Sequence, residues 1–427
     1  MNNTSILSGP QVAEFLGASP ASIVELGSGE ISAFLVSLSH EYRDARCERV
    51  ARNLACRLLA DEALGLHMSV EGFAACLSAL SAWYRDDTFR EAGLTLAKRL
   101  ATDNALFWSV NSHQLARCLD ALNKWDKEPV CRAAAVRLAT RIFADRSLGN
   151  ALGKHEIAGV LNALSKWPDE EACRAASIKI AERMVGDQLL LVRMNAQEVA
   201  SCLYALGKWS DDRTCEDAAR RLARRLSTEE ALVRQLNGVR LTHCLSGLRT
   251  WSDDKACYAA GQRLARRLSD DGPLRHHLNG RHLAVCLDAL AKWRSDEVCL
   301  SAALRLTRRV ASDASICQRL SMKHVVNCLN ALSSLDDSGV STAAAAIRLS
   351  QRLLDDTSLL RQMNGEAMSA CLTALTRWSA YTVCHEAAVR IEKRLVKDDA
   401  PLNDLRENEA SRHLRLRMPD RATADAE

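Results

Sequence analysis

Aromatic residues are scarce in this chain, at 4%, with only 6 Phe and 5 Tyr among 427 residues. Proline (7) and glycine (19) are scarce as well, which excludes a collagenous or linker-type polymer. Charge of one sign is also lacking: 57 Lys and Arg stand against 53 Asp and Glu, a formal net charge of +4. A general polyanion binder carries a clear basic excess, so that balance argues against one. No apolar run approaches the roughly 18 residues of a membrane-spanning helix, so none is expected. The opening MNNTSILSGPQVAEF has no basic stretch and no long apolar core, so no Sec-type signal peptide is expected.

What is present is 48% apolar residues, 16 Cys and 8 Trp. That apolar share supplies a sizeable core and excludes wholesale disorder. Without a Sec signal, and with a core that needs no staples, the cysteines read as reduced thiols rather than a disulfide scaffold.

The tryptophans give the organisation. Trp83, Trp125, Trp167, Trp209, Trp251 and Trp293 follow one another at 42 residues. The next step lands on Leu335, and after a one-residue insertion the series resumes at Trp378. One step before Trp83 stands Glu41, in a degenerate first copy; only Trp108 lies off the column. The words before these positions, such as CLDALNKW and CLYALGKW, keep Leu six and three residues ahead and a small residue four ahead. Apolar residues at such steps form one stripe of an α-helix, here helix A of each copy. Ser69, Asn111, Asn195, Asn237, Asn279, Ser321 and Asn364 stand where its N-cap belongs, with Glu156 and Glu198 as capping-box acids. In the fifth copy this predicts helix A over about Asn195–Lys208, a polar turn, helix B from Thr214, and a short third helical segment within Thr228–Leu236. Two or three helices per repeat of this length match HEAT or armadillo repeats. The expected fold is therefore all-α, an α-solenoid (HEAT/armadillo-like superhelix) of about nine ~42-residue repeats over residues 13–397, rather than several domains. Residues 1–12 are expected to be a disordered N-terminus and 398–427 a charged, partly disordered tail.

Each column has a packing meaning and a functional one. The helical spacing reads the Trp column as a packing staple; an aromatic row that stacks bases or holds a peptide is the alternative. Fourteen Cys fall in two columns, seven residues before and six after the Trp position, without paired CxxC motifs, and read as core filler rather than zinc ligands. Sixteen residues after the Trp position every copy has Arg, from Arg57 to Arg394, and four residues later an acid, from Asp61 to Asp398. That spacing matches an intrahelical pair or a cap contact. A second basic column, Arg137, Lys179, Arg221, Arg263, Arg305, Arg348 and Arg390, has no such partner and reads as a solvated face or as a binding ridge for an acidic partner or phosphate backbone.

No HExxH, GxSxG or Walker A motif is present, and the His276, His277, His282 group has no metal-ligand pattern. No catalytic residue, metal or cofactor is therefore assigned, and the chain is expected not to be an enzyme. A cysteine hydrolase assembled by the fold is the remaining catalytic reading.

The string LNALSKWP, Leu161 to Pro168, together with the period and the Leu-x-Ala-Leu core, resembles the SKWP-repeat type III effectors of plant-pathogenic bacteria such as Ralstonia and Xanthomonas. The resemblance covers about nine-tenths of the chain, although one copy alone spells SKWP and members of that family are usually much longer. It implies a virulence protein secreted by a type III system into the host cell, acting in the cytoplasm with the nucleus left open, where reduced thiols suit the compartment. It further implies a non-enzymatic scaffold that binds a host plant protein. The first 13 residues contain no acid and are rich in Asn, Ser and Thr, which suits a type III secretion signal. A weaker resemblance, through the Leu-x-Ala-Leu-x-Lys word, links the chain to helical-repeat RNA-binding proteins of organelles. It implies an RNA partner on the basic ridge as the alternative.

Overall fold

A computed structural model describes residues 7–18, 21–335 and 340–397. Among the described residues there are 28 α-helices and no strand, and the architecture is an all-α helical-repeat solenoid. The chain divides into two compact units, residues 1–222 and 223–427. Residues 1–6, part of the expected secretion signal, and 398–427 lie outside the described residues. Within the segment expected to be disordered, Gly9–Ala18 begins a helix, because Val12, Ala13 and Leu16 bury against the first repeat.

The third copy shows the unit. Helix A is Ser112–Leu122, a single 3₁₀ turn Asn123–Trp125 follows, helix B is Pro129–Ala144, and a short helix C is Arg146–Ala151. In the first unit the A helices Ser28–Ser39, Val70–Leu80, Ser112–Leu122, Lys154–Leu164 and Ala196–Leu206 pack in succession as one layer. The B helices Ala45–Ala60, Asp87–Thr102, Pro129–Ala144 and Glu171–Gly186 form a second layer. The second unit repeats this arrangement, with A helices Gly238–Leu248, Gly280–Leu290, Met322–Ser334 and Gly365–Leu375 and B helices Lys255–Asp270, Glu297–Ser312, Val340–Asp355 and Thr382–Lys397. The Leu and Cys columns are the core: Cys118, Leu119, Leu122, Cys131 and Leu138 are fully buried, and their counterparts are too.

The caps follow the sequence. Asn111 Oδ1 accepts from the Gln114 amide at 2.9 Å, and Asn195 from those of Gln197 and Glu198 at 2.9 and 3.0 Å. Glu198 closes the capping box by accepting from the Asn195 amide at 2.8 Å. Ser321 differs: it stands at the N-cap, but its hydroxyl pairs with His324 Nδ1 at 2.6 Å instead of capping.

The Trp column is buried, and four of its indoles reach back to the preceding copy. Trp83, Trp125, Trp167 and Trp293 donate through Nε1 to the carbonyls of Tyr42, Tyr84, Asp126 and Ser252 at 3.0, 3.1, 3.0 and 2.9 Å. The ring lies over a small residue on the preceding B helix. At Gly93 a Cβ would fall inside the ring of Trp125, and at Gly261 it would come within 2.8 Å of Trp293. These two close approaches explain why glycine is tolerated in the middle of a helix there.

The acid column N-caps helix C. Asp103 Oδ1 accepts from the Leu106 amide at 3.0 Å, Asp145 from Ser147 and Leu148 at 2.9 and 3.1 Å, and Asp271 from Leu274 at 2.8 Å. Cap bonds hold the carboxyls of Asp103, Asp145, Asp313 and Asp356 below their ordinary value of 3.8. The leading donor is the Leu106 amide for Asp103 and the Ser147, Ser315 and Ser358 hydroxyls for Asp145, Asp313 and Asp356. A carboxyl lowered in the folded state stabilises fully above its unfolded value, and that stability is lost as pH falls through the lowered value. Melting temperatures are therefore expected to lose the cap contribution only below ~pH 4. A titration of the melting temperature from pH 7 to acid checks this, and a fall confined to higher pH contradicts it.

Candidate functional site

The strict Arg column does not face a ligand. Arg141 is buried, donates to the carbonyls of Phe107 and Trp108, the latter at 3.0 Å, and so closes the C-terminal end of the preceding helix C, Asn104–Ser109. Arg183 does the same on the Gly149 and Leu152 carbonyls at 2.7 and 2.6 Å, and Arg309 on those of Arg275 and His276. The last carbonyls of a helix lack intrahelical donors and sit at its negative end, so a cation there is stabilising. Pairing with the acid four residues on also occurs, as in Arg57–Asp61 at 3.0 Å and Arg352–Asp356 at 2.9 Å.

The expected basic ridge is largely taken up by the same work, one helix over. Arg137 donates to the Leu100 and Ala101 carbonyls at 3.3 and 2.8 Å, at the end of the preceding B helix, and lies 4.2 Å from the Phe107 ring. Arg263 reaches the Ser227 carbonyl at 2.8 Å and pairs with Glu230; Arg390 reaches Leu354 at 2.9 Å. Lys179 pairs with Glu182 at 2.8 Å. Arg221 and Arg348 are half-buried, and Arg305 is exposed. Orphan carbonyls at helix ends thus engage Arg137, Arg263 and Arg390 of this column.

The cysteines carry no reactive signature. All are buried except Cys56, and burial pushes the thiols of Cys76, Cys118, Cys131, Cys173 and Cys286 up to about 12. A nucleophilic thiol needs the opposite shift. His282 is half-buried, and its pKa is lowered by that burial. No cluster of three or more His, Cys, Asp or Glu suited to a metal ion occurs among the described residues. No helix among them is long and apolar enough to cross a membrane.

The surface that stands out lies on the C-helix edge of the first unit. Trp108, the one tryptophan off the column, is 64% exposed on helix C of the second copy. Its ring meets Phe107 edge-on at 5.0 Å and lies 5.6 Å from the Arg141 guanidinium. Leu66 and Val192 occupy the same register in the first and fourth copies, and both are exposed. Phe143, at the end of the third B helix, and Leu189, on the fourth C helix, add two more exposed apolar side chains. In the third copy Asn150 takes the register position, and there a cleft of about 470 Å³ opens, lined by Arg146, Asn150, Lys179, Glu182, Arg183 and Asp187. The edge thus presents apolar knobs beside a polar recess of mixed charge. Reading the columns alone misses it, because these residues break the pattern; the displaced Trp108 was the visible signal.

The chain matches no protein-family model and no curated protein.

Proposed function

We propose that this chain is a non-enzymatic helical-repeat scaffold that captures a host plant protein after delivery by a type III secretion system. The observation that carries the binding role is the exposed apolar edge of Leu66, Trp108, Phe143, Leu189 and Val192. Large exposed aromatic and aliphatic side chains on an otherwise polar surface mark protein interaction sites, and Trp is the commonest energetic anchor in them. The polar recess beside Asn150, with charges of both signs, supplies orienting contacts at its rim. Delivery into a host cytosol rests on the resemblance of Leu161–Pro168 and its repeat context, and the free thiols suit a reducing compartment.

The test is affinity capture from plant-cell extract with the wild-type chain and with Trp108→Ala. The wild-type chain is expected to retain a specific protein, and the variant to retain it at least ~10-fold more weakly, as for an interface hot spot. The melting temperature should change little, because Trp108 is mostly solvated. A wild-type chain that repeatedly retains no protein, or a variant that captures the same protein equally well, overturns the assignment.

A further inference from the structure

The C-helix edge of the second unit is built from other residues than that of the first. At the register of Leu66, Trp108 and Val192 stand Arg234, His276 and Gln318. The near-balanced charge of the whole chain hides a matching split: residues 223–397 carry a clear basic excess, whereas residues 1–222 carry slightly more acid than base. Between helix C of the fifth copy, Glu230–Arg234, and helix B of the sixth, Lys255–Asp270, a cleft of about 500 Å³ opens. The guanidinium groups of Arg234, Arg263, Arg266 and Arg267 line it, together with the carboxylates of Glu230, Asp270 and Asp271. Val233 is the apolar member of the lining.

The four arginines are in different states. Glu230 pairs with Arg234 at 3.0 Å and with Arg263. Arg266 is exposed and has no ion-pair partner among the described residues. Arg267 belongs to the strict column, whose members Arg141, Arg183 and Arg309 donate to the carbonyls of the preceding helix C. Arg267 differs from them. Its side chain is 16% exposed, its Nη1 is buried without a hydrogen-bond partner, and Asp271 Oδ2 lies 3.9 Å from its Nη2. A buried guanidinium N–H without an acceptor is costly, so the cleft is short of one anionic acceptor.

We propose that this cleft binds a phosphorylated polyol, a phosphate monoester on a compact, hydroxyl-bearing ring. Arg266 and Arg267 take the phosphate, since planar guanidinium forks match its oxygens and make charge-assisted bonds with them. The carboxylates choose the rest of the ligand. Three acids beside four arginines repel a polyanion or a run of acidic residues. A carboxylate accepts hydrogen bonds, and Asp270, exposed and without a partner among the described residues, suits a hydroxyl group. The volume is more than a bare phosphate ion fills and lies in the range of small-ligand sites. No aromatic side chain lines the cleft, so a nucleobase finds no ring to stack on. A sugar phosphate in solution and an inositol phosphate headgroup in a membrane share this chemistry. The site lies in the second unit and is independent of the apolar edge around Trp108.

Isothermal titration calorimetry of the full chain with glucose 6-phosphate, inorganic phosphate and glucose tests the phosphate and the ring separately. Flotation with phosphatidylcholine vesicles carrying phosphatidylinositol 4-phosphate tests the membrane source. Glucose 6-phosphate is expected to bind at least ~10-fold more tightly than inorganic phosphate, and glucose not to bind. Arg266→Gln, at an exposed position, is expected to weaken binding at least ~10-fold without moving the melting temperature. Arg267→Ala is expected to abolish binding and to lower the melting temperature less than Arg141→Ala, because no carbonyl loses its donor. Vesicle binding without glucose 6-phosphate binding assigns the site to a lipid headgroup. Binding of neither probe overturns the proposal, as does binding that survives both substitutions. Inorganic phosphate that binds as tightly as glucose 6-phosphate, or a phosphoserine peptide that binds more tightly than both polyol probes, overturns the ligand class. Trp108→Ala is expected to bind glucose 6-phosphate like wild type, so failure here and failure of protein capture are separate results.

Discussion

Trp125→Ala is expected to lower the unfolding free energy by about 3–5 kcal/mol, the range for removing a buried large aromatic side chain. Three losses combine in that figure. The ring is 4% exposed, so nearly all its apolar surface returns to water or leaves a void. The void lies over Gly93, whose missing Cβ cannot fill it. The Tyr84 carbonyl loses its indole donor at 3.1 Å. Urea unfolding of wild type and variant measures the sum; a midpoint unchanged within error contradicts the staple assignment. A milder pair separates ring from N–H. Trp209 is 1% exposed, but its Nε1 has no hydrogen-bond partner, and Pro168 stands at the place corresponding to Tyr84. Trp125→Phe should therefore cost about 1 kcal/mol more than Trp209→Phe, the net worth of one hydrogen bond.

Arg141→Ala is expected to cost about 2–3 kcal/mol, the upper end for hydrogen bonds to a charged group. The guanidinium satisfies the Phe107 and Trp108 carbonyls, and its stem packs in the buried layer. Removal leaves the end of helix C, Asn104–Ser109, without its donor, so that segment should loosen first. Hydrogen exchange of the Leu106 to Ser109 amides reads this directly, since local opening raises exchange ahead of global unfolding. Arg141→Lys should recover only part of the loss, because one ammonium cannot repeat the fork that spans two carbonyls. Unaltered exchange in helix C of the alanine variant contradicts the capping role.

These expectations also show how far the sequence could be read. Periodicity revealed the A helices, their Asn caps and the buried Leu and Cys columns, since each depends on neighbours a few residues away. The strictness of the Arg column was visible, yet its partner was not. Arg141 reaches carbonyls 33 and 34 residues earlier, and only the stacking of one copy on another decides which carbonyls lie within reach. The same gap hid the partners of Arg137, because a backbone carbonyl has no letter in a sequence. The apolar edge stayed hidden for the opposite reason, as Leu66, Trp108 and Val192 are departures from repetition, and a search for columns passes over departures.

The indole and buried-arginine clamps within each unit point one way. Trp125 and Arg141 of one copy hold the turn and helix C of the copy before it, while Arg90 of the copy before reaches forward to Glu128 at 3.0 Å. In the first copy Glu41 stands where later ones have an indole. The backward clamps are vectorial. Each segment leaving the ribosome brings the indole and guanidinium that fasten it to a platform already synthesised, so these two contacts can form in the direction of translation, and the forward ion pairs close once the next copy follows.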